Sequence, residues 1–323
     1  MTQAIRIHEN GGPEVLQYES VPTPEPGPGE VRIHQEAVGV NFIDVYFRTG
    51  LYKTVLPATI GMEAAGRVAA IGDGVTDLAL GDRVAYATGP IGAYATDRVI
   101  AADRLVRLPD AVETESAAAL LLQGMTAYYL LHRTFPVRAG QTILLYAAAG
   151  GVGLLICQWA KGLGVHVIGV VSTPAKAALA RENGAAEVIV GLDDLPAKVG
   201  QLTGGAMVPV VYDSIGRDSF ATSLDCLAPL GMMVSYGNSS GPPPAIETSV
   251  LAAKGSLFLT RPTLATYVAK RQDLVAAANA VFAALSGGTI KATIGQRFLL
   301  RDAAVAHRLL EARQTTGSTV LIP

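Results

Sequence analysis

The residues best suited to chemistry are Ala147-Ala148-Ala149-Gly150-Gly151-Val152-Gly153, seven small side chains between the apolar run TILLY and the amphipathic pattern GLLICQWAKGLG. A turn entered from a buried strand and left as a helix can hold a pyrophosphate. Gly150 lets the backbone approach the phosphates, and Gly153 lets the helix sit close on the strand. The unpaired N–H groups and positive end of that helix then face the anion. Ala148 replaces the first glycine of G-x-G-x-x-G, so the pattern is imperfect and a merely tight structural turn stays open. Its place in a run of strand–helix units favours a dinucleotide.

The next strand, HVIGVV, ends at Val171 and is followed by Ser172-Thr173-Pro174-Ala175-Lys176, with no acid where a ribose-reading carboxylate belongs. An Asp or Glu there would accept from the 2′-hydroxyl of NAD and repel a 2′-phosphate. Hydroxyls and a Lys suit the phosphate, which favours NADPH. The alternative is that Ser172 and Thr173 only cap the next helix and Lys176 is a solvated charge. A second glycine motif, Gly237-Asn238-Ser239-Ser240-Gly241, matches the nucleophile elbow of hydrolases. That elbow needs a helix directly after the serine, and Pro242-Pro243-Pro244 forbids one. The loop is better placed at the carboxyl end of a strand, where open α/β sheets bind ligands.

These motifs need a frame. Residues 4–109 carry short alternating runs such as AIRIHEN, EVRIHQEAVG and AAGRVAAIG, punctuated by Gly, Pro and Asp, which predicts a compact β-rich domain. A long helical pattern covers 113–133. From Thr142, buried-type strands alternate with helices as far as SLFLT, which predicts a parallel sheet covered on both faces. The tail, ending in STVLIP, is expected to return to the first domain, with the α/β part inserted.

Composition narrows the partners. Half of the 323 residues are hydrophobic, 16% are charged and the net charge is −2, so a large core is affordable and a phosphate-backbone footprint is missing. Nucleic acid is not expected as a partner. The apolar stretch from Ala117 to Leu131 is broken by Gln123, Gly124 and Thr126 and is too short to span a membrane. The N-terminus lacks the pattern of a secretory signal, so a cytoplasmic setting is expected. Cys157 and Cys226 read as core residues. The five histidines never fall at a metal-ligand spacing, so no metal is expected.

The order of β-rich domain, inserted domain with AAAGGVG and returning tail resembles the medium-chain dehydrogenase/reductase superfamily. HENGGPEVL (8–16), GVNFIDVYFRTGLY (39–52), GMEAAG (61–66), GAYATDRVI (92–100), YDSIGRDS (212–219), GNSSG (237–241) and the closing GSTVLIP are together similar to its NADPH:quinone oxidoreductase, or zeta-crystallin-like, family. The resemblance implies an α/β fold: a GroES-like β-rich catalytic domain of residues 1–122 and 261–323, and an inserted Rossmann domain of residues 123–260 with a doubly wound parallel sheet. Zinc-dependent members place Cys where this chain has Asn41, His where it has Met62, and a third ligand near Gln123. Asn, Met and Gln do not make a catalytic zinc site.

By the same resemblance, Asn41, Asp44, Tyr46 and Tyr52 line the cleft where nicotinamide and acceptor meet, with Thr126 on the nicotinamide side. Gly150, Gly151, Val152 and Gly153 hold the pyrophosphate, and Ser172 and Lys176 face the 2′-phosphate. Ser214 to Gly216 and the loop Tyr236, Gly237, Asn238, Ser239 flank the riboses, with Arg261 and Arg313 reaching the cofactor from the other domain. Val190-Gly191 departs from the family, which carries a Tyr beside the 2′-phosphate. Asn41 and Asp44 could also only cap a helix, and Tyr46 and Tyr52 could only pack. The implied activity is NADPH-dependent reduction of a quinone without a metal. The rivals are reduction of an enone or enoyl C=C bond, and a crystallin-like NADPH binder without turnover. A homodimer is implied by family likeness alone.

Overall fold

A computed structural model describes Met1–Pro323. The chain packs as two compact units: 1–125 with 267–287 and 292–323, and 126–266 with 288–291. The division falls a few residues beyond the expected boundaries of 122 and 260. At the first, Gln123 is tied into the β-rich unit by its bonds to Asn41 and Ser318. At the second, the short strand Phe258–Thr260 pairs with Leu227–Ser235 and carries the following residues with it.

The β-rich unit is built on the strand Glu30–Val40, whose burial alternates before its last four residues all become buried. It is flanked antiparallel by Glu63–Ile71, with Gly39 opposite Glu63, and by the tail strand Ser318–Ile322, with Val40 opposite Thr319. The sheet extends through Ile294–Leu299 on one side and through Arg83–Tyr86 and Val106–Arg107 on the other, and Asp97–Ala101 also pairs with Glu30–Val40. A smaller sheet joins Gln17–Val21, Thr2–Ile7 and Ala58–Thr59. Their shared core draws on Ile5, Ile33, Val38, Ile60, Tyr94, Leu105, Leu300 and Leu321. Glu30–Val40 runs straight into the helix Phe42–Arg48, with Asn41 as its N-cap. The joint between them therefore has Glu63 on one flank and Ser318 on the other.

The second unit contains a six-stranded, wholly parallel sheet in the spatial order Glu187–Val190, His166–Val171, Thr142–Tyr146, Val208–Asp213, Leu227–Ser235, Phe258–Thr260. Counted along the chain this is 3-2-1-4-5-6, the doubly wound arrangement, with its switch point between Thr142–Tyr146 and Val208–Asp213. The central strands His166–Val171, Thr142–Tyr146 and Val208–Asp213 are almost continuously buried, as expected of a parallel sheet covered on both faces. The helix expected over 113–133 is α-helical over Thr114–Tyr129, and its end widens into a π-turn at Leu130–Thr134. No helix is long and apolar enough to cross a membrane.

Candidate active site

In the α/β unit, Thr142–Tyr146 passes through the glycine turn into the helix Gly151–Gly162, whose N-cap is Gly150. Ala147 takes a φ of 50°, and the Gly150 N–H closes on the Ala147 carbonyl at 2.9 Å. A Cβ on Gly153 would lie 2.2 Å from that carbonyl oxygen, so only glycine lets the helix start this close to the strand. Ala148, the departure from the fingerprint, has its own accommodation. A Cβ on Gly169, one strand over, would meet the Ala148 methyl at 2.8 Å. The methyl that the first position gains is thus matched by one the neighbouring strand lacks.

At the end of His166–Val171, Thr173 caps the helix Pro174–Glu182 by accepting from the Lys176 N–H at 3.3 Å. Ser172 is exposed and Lys176 half-buried. Beside them, the Gly191 N–H bonds the Val171 carbonyl at 2.9 Å, and Gly191 takes a φ of 81°, a left-handed conformation that suits glycine where the family carries a Tyr.

At the next two strand ends, Asp213 organises the loops. It is fully buried and accepts from the N–H groups of Ile215 (2.7 Å) and Gly216 (3.1 Å) and from the hydroxyls of Ser219 and Ser223 (both 2.7 Å). The loop 236–239 lies on this turn, with Ser239 N–H on the Ser214 carbonyl at 3.1 Å, and a Cβ on Gly237 would stand 2.7 Å from that oxygen. No helix follows Ser239 before Thr248–Ala253, as the prolines require. Arg261 corrects one expectation: it belongs to this α/β unit, because Phe258–Thr260 lies parallel to Leu227–Ser235 and delivers it beside Ser235. Thr126 is buried in the same unit. Arg313 is an exposed residue of the β-rich unit with a φ of 58°.

In the β-rich unit, the four residues of 41–52 come together. The Asn41 N–H donates to Asp44 Oδ2 at 2.9 Å, the reciprocal half of a capping box. The rings of Tyr46 and Tyr52 meet edge to face at 5.3 Å, and Phe47 holds Tyr52 from another side at 5.6 Å. Capping and packing are therefore both realised, but the Asn41 side chain is used otherwise. Its Nδ2 donates to Glu63 Oε1 at 2.7 Å, while its Oδ1 accepts from Gln123 Nε2 at 3.3 Å. Glu63 Oε2 accepts from the Leu122 N–H at 2.7 Å, and Ser318 Oγ donates to Gln123 Oε1 at 2.7 Å.

A second chain runs to Asp44. Arg48 is buried, is paired with Glu311 through both guanidinium nitrogens (2.7 and 2.8 Å) and donates to His307 Nδ1 at 3.1 Å. That contact makes Nδ1 the acceptor, so Nε2 carries the proton and donates to the Tyr94 hydroxyl at 3.0 Å. Tyr94 then donates to Asp44 Oδ2 at 3.0 Å. Burial, reinforced by the Arg48 charge, pushes His307 down to about 3, so it stays neutral. Burial raises Asp44 to about 7 against the pull of the Asn41 N–H and Tyr94. It raises Glu63 to about 8 against Asn41 and the Leu122 N–H, and the Asp44 charge adds to the rise. Motif reading did not single out Glu63, Tyr94, Arg48, His307 or Asp213. The usable signal was an acid within or ending an apolar strand, as in GMEAAG and PVVYDSI.

Zinc does not fit here. No three His, Cys, Asp or Glu side chains converge anywhere, and both ends of the Asn41 amide are already engaged.

A β-rich unit with an inserted doubly wound sheet defines the alcohol dehydrogenase-like class of oxidoreductases. Residues 27–110 match the alcohol dehydrogenase GroES-like domain and 151–278 the zinc-binding dehydrogenase family. A quinone oxidoreductase of Pseudomonas aeruginosa is 52% identical over the whole of both chains. A 2-haloacrylate reductase of a Burkholderia species is 42% identical over all of this chain and 99% of its own. The solved Escherichia coli quinone oxidoreductase in complex with NADPH superimposes with a TM-score of 0.98 at 45% identity, covering all of both chains. The chain belongs to the quinone oxidoreductase family of the medium-chain dehydrogenases/reductases.

Proposed function

We propose that this protein reduces quinones with NADPH and without a metal. The observation that carries the proposal is the Asn41 amide, clamped by Glu63 and Gln123 at the position where zinc-dependent members of the superfamily carry a ligand. It offers a hydrogen-bond donor in place of a Lewis acid. Quinones accept electrons without strong activation, whereas simple ketones need a metal or proton donor on the developing alkoxide. Bound NADPH supplies the hydride. The chain's part is to bind, orient and exclude water.

Gly150, Gly151, Val152 and Gly153 hold the pyrophosphate at the helix start, and Ser172 and Lys176 take the 2′-phosphate. Ser214, Gly216, Tyr236, Gly237, Asn238 and Ser239 flank the adenosine and the nicotinamide ribose from the strand ends, and Arg261 lies near the cofactor. Thr126 serves the nicotinamide, and Arg313 takes part in holding the cofactor. Asn41, Asp44, Tyr46 and Tyr52 form the acceptor side, with a proton from solvent completing the hydroquinone. The glycine cradle supports the cofactor assignment. The relative named a 2-haloacrylate reductase favours a second reading, reduction of an activated C=C bond, in which Tyr52 steadies the developing enolate.

We also propose a cytoplasmic homodimer. The edge strand Phe258–Thr260 exposes Phe258 and Leu259, with Leu230 exposed nearby, and such an edge invites a second copy.

The test is NADPH oxidation against a panel of quinones and enones, with and without chelator. Turnover of quinones that chelator leaves unchanged is expected. Zinc near one per chain that is required for turnover would refute the metal-free reading, and a melting shift with NADPH but no consumption would mark a binder.

A further inference from the structure

The four side chains Ser318, Gln123, Asn41 and Glu63 form a hydrogen-bond chain in which each member donates to the next. Three of the four could equally run it backwards. A serine hydroxyl donates or accepts, and each amide can turn its oxygen and nitrogen about. Only Glu63 has a fixed sense. As a carboxylate it accepts on both oxygens, from Asn41 on Oε1 and from the Leu122 N–H on Oε2. It is also held in place. A Cβ on Gly39 would lie 2.3 Å from Oε1, so the neighbouring strand leaves room for this oxygen only because residue 39 is glycine.

We propose that Glu63 is a positioning residue of the quinone-reducing site: by accepting at both oxygens it sets the direction of the Ser318–Gln123–Asn41–Glu63 chain, and so decides which end of the Asn41 amide is turned to the reacting molecules. One Asn41 N–H is committed to Glu63, and the other stays free to donate to the acceptor. The proposal rests on the acceptor-side role given to Asn41 above.

Glu63→Gln inverts the chain without breaking it. A glutamine can accept from Leu122 only on its oxygen, which leaves its NH2 facing Asn41. Asn41 must then present Oδ1 to residue 63 and its NH2 to Gln123, which in turn donates to Ser318. Every bond is kept and the polarity is reversed. Protonated Glu63 must do the same, and burial pushes its carboxyl up to about 8. The ionisable groups in electrostatic reach are Asp44, Tyr86 and Tyr94, and the flanking helix Thr114–Tyr129 gives it the Leu122 N–H, while Gln123 of that helix bonds Asn41.

The experiment is kcat against pH, from 6 to 9, for wild type and E63Q with NADPH and a soluble quinone. Wild-type kcat should rise through a step near 8. E63Q should melt within a few degrees of wild type and stay on the low limb at every pH, on the order of tenfold or more below the wild-type high limb. Any step from Asp44 should persist in both. An E63Q profile that retains the upper step, or matches wild type at pH 9, overturns the proposal. Should E63Q not fold, Gln123→Glu pulls the Asn41 NH2 the other way and should move the wild-type step upward, and an unmoved step overturns the proposal equally. In 15N-asparagine-labelled protein without substrate, the Asn41 side-chain NH2 signals should titrate with the same step in wild type and not in E63Q. That readout stands even if no quinone is turned over, so failure of the activity and failure of the chain are told apart.

Discussion

At the scale of single residues, the two tyrosines separate packing from chemistry. The Tyr52 ring is held by Tyr46 and Phe47, contacts a phenylalanine would keep, so Tyr52→Phe preserves the ring packing and deletes the hydroxyl. If that hydroxyl steadies charge on the acceptor, the loss is about 1–3 kcal/mol of transition-state stabilisation, larger for an enone than for a quinone. kcat/KM for one acceptor of each kind measures it, and equal, unchanged values would return Tyr52 to packing. Lys176 is tested by cofactor choice. Its replacement by alanine should weaken NADPH binding by roughly 10- to 100-fold, the worth of a charge-assisted contact, and NADH binding little. Equal losses for both cofactors would remove the 2′-phosphate assignment. Asn41 was legible in the sequence as a helix cap. Its partners were not, because Glu63 and Ser318 lie on two strands and Gln123 on a helix, three separate segments that only the folded unit brings to one joint.

At the scale of elements, the glycine turn shows where pattern reading stops. The strand, the turn and the helix were all readable from apolar runs and small residues. The consequence of Ala148 was not, since its counterpart, Gly169, belongs to the next strand and looks in sequence like an ordinary break in HVIGVV. The pairing predicts a coupling. Gly169→Ala alone should overpack the strand–turn contact and cost about 1–3 kcal/mol. Combined with Ala148→Gly, which restores the fingerprint, most of that cost should disappear. Urea unfolding of the two single variants and the double gives the interaction term directly, and strictly additive effects would show that the two methyl positions do not compete.

At the scale of the whole molecule, the parallel sheet and the β-rich unit were legible from the change in periodicity near Thr142, because strands buried on both faces read differently from strands buried on one. The joints were legible only to within a few residues, since a helix that crosses one of them carries no mark of where its packing changes partner. The proposed dimer edge makes its own forecast. Phe258→Asp places a charge on the exposed strand edge and should shift the protein from dimer to monomer in analytical ultracentrifugation. An unchanged dimer would place the interface elsewhere.

The pairing of Val40 with Thr319 has a consequence for biogenesis. The α/β unit is nearly continuous in sequence, so its sheet can close while the chain is still emerging from the ribosome. The β-rich unit begins first and finishes last. Glu30–Val40 must wait, with one edge open, until Ser318–Ile322 has been made, and Arg48 and Tyr94 wait as long for His307. During that interval an unpaired strand edge is exposed to pairing with other nascent chains, a hazard that falls on translation rate and holdase chaperones rather than on the stability of the finished fold.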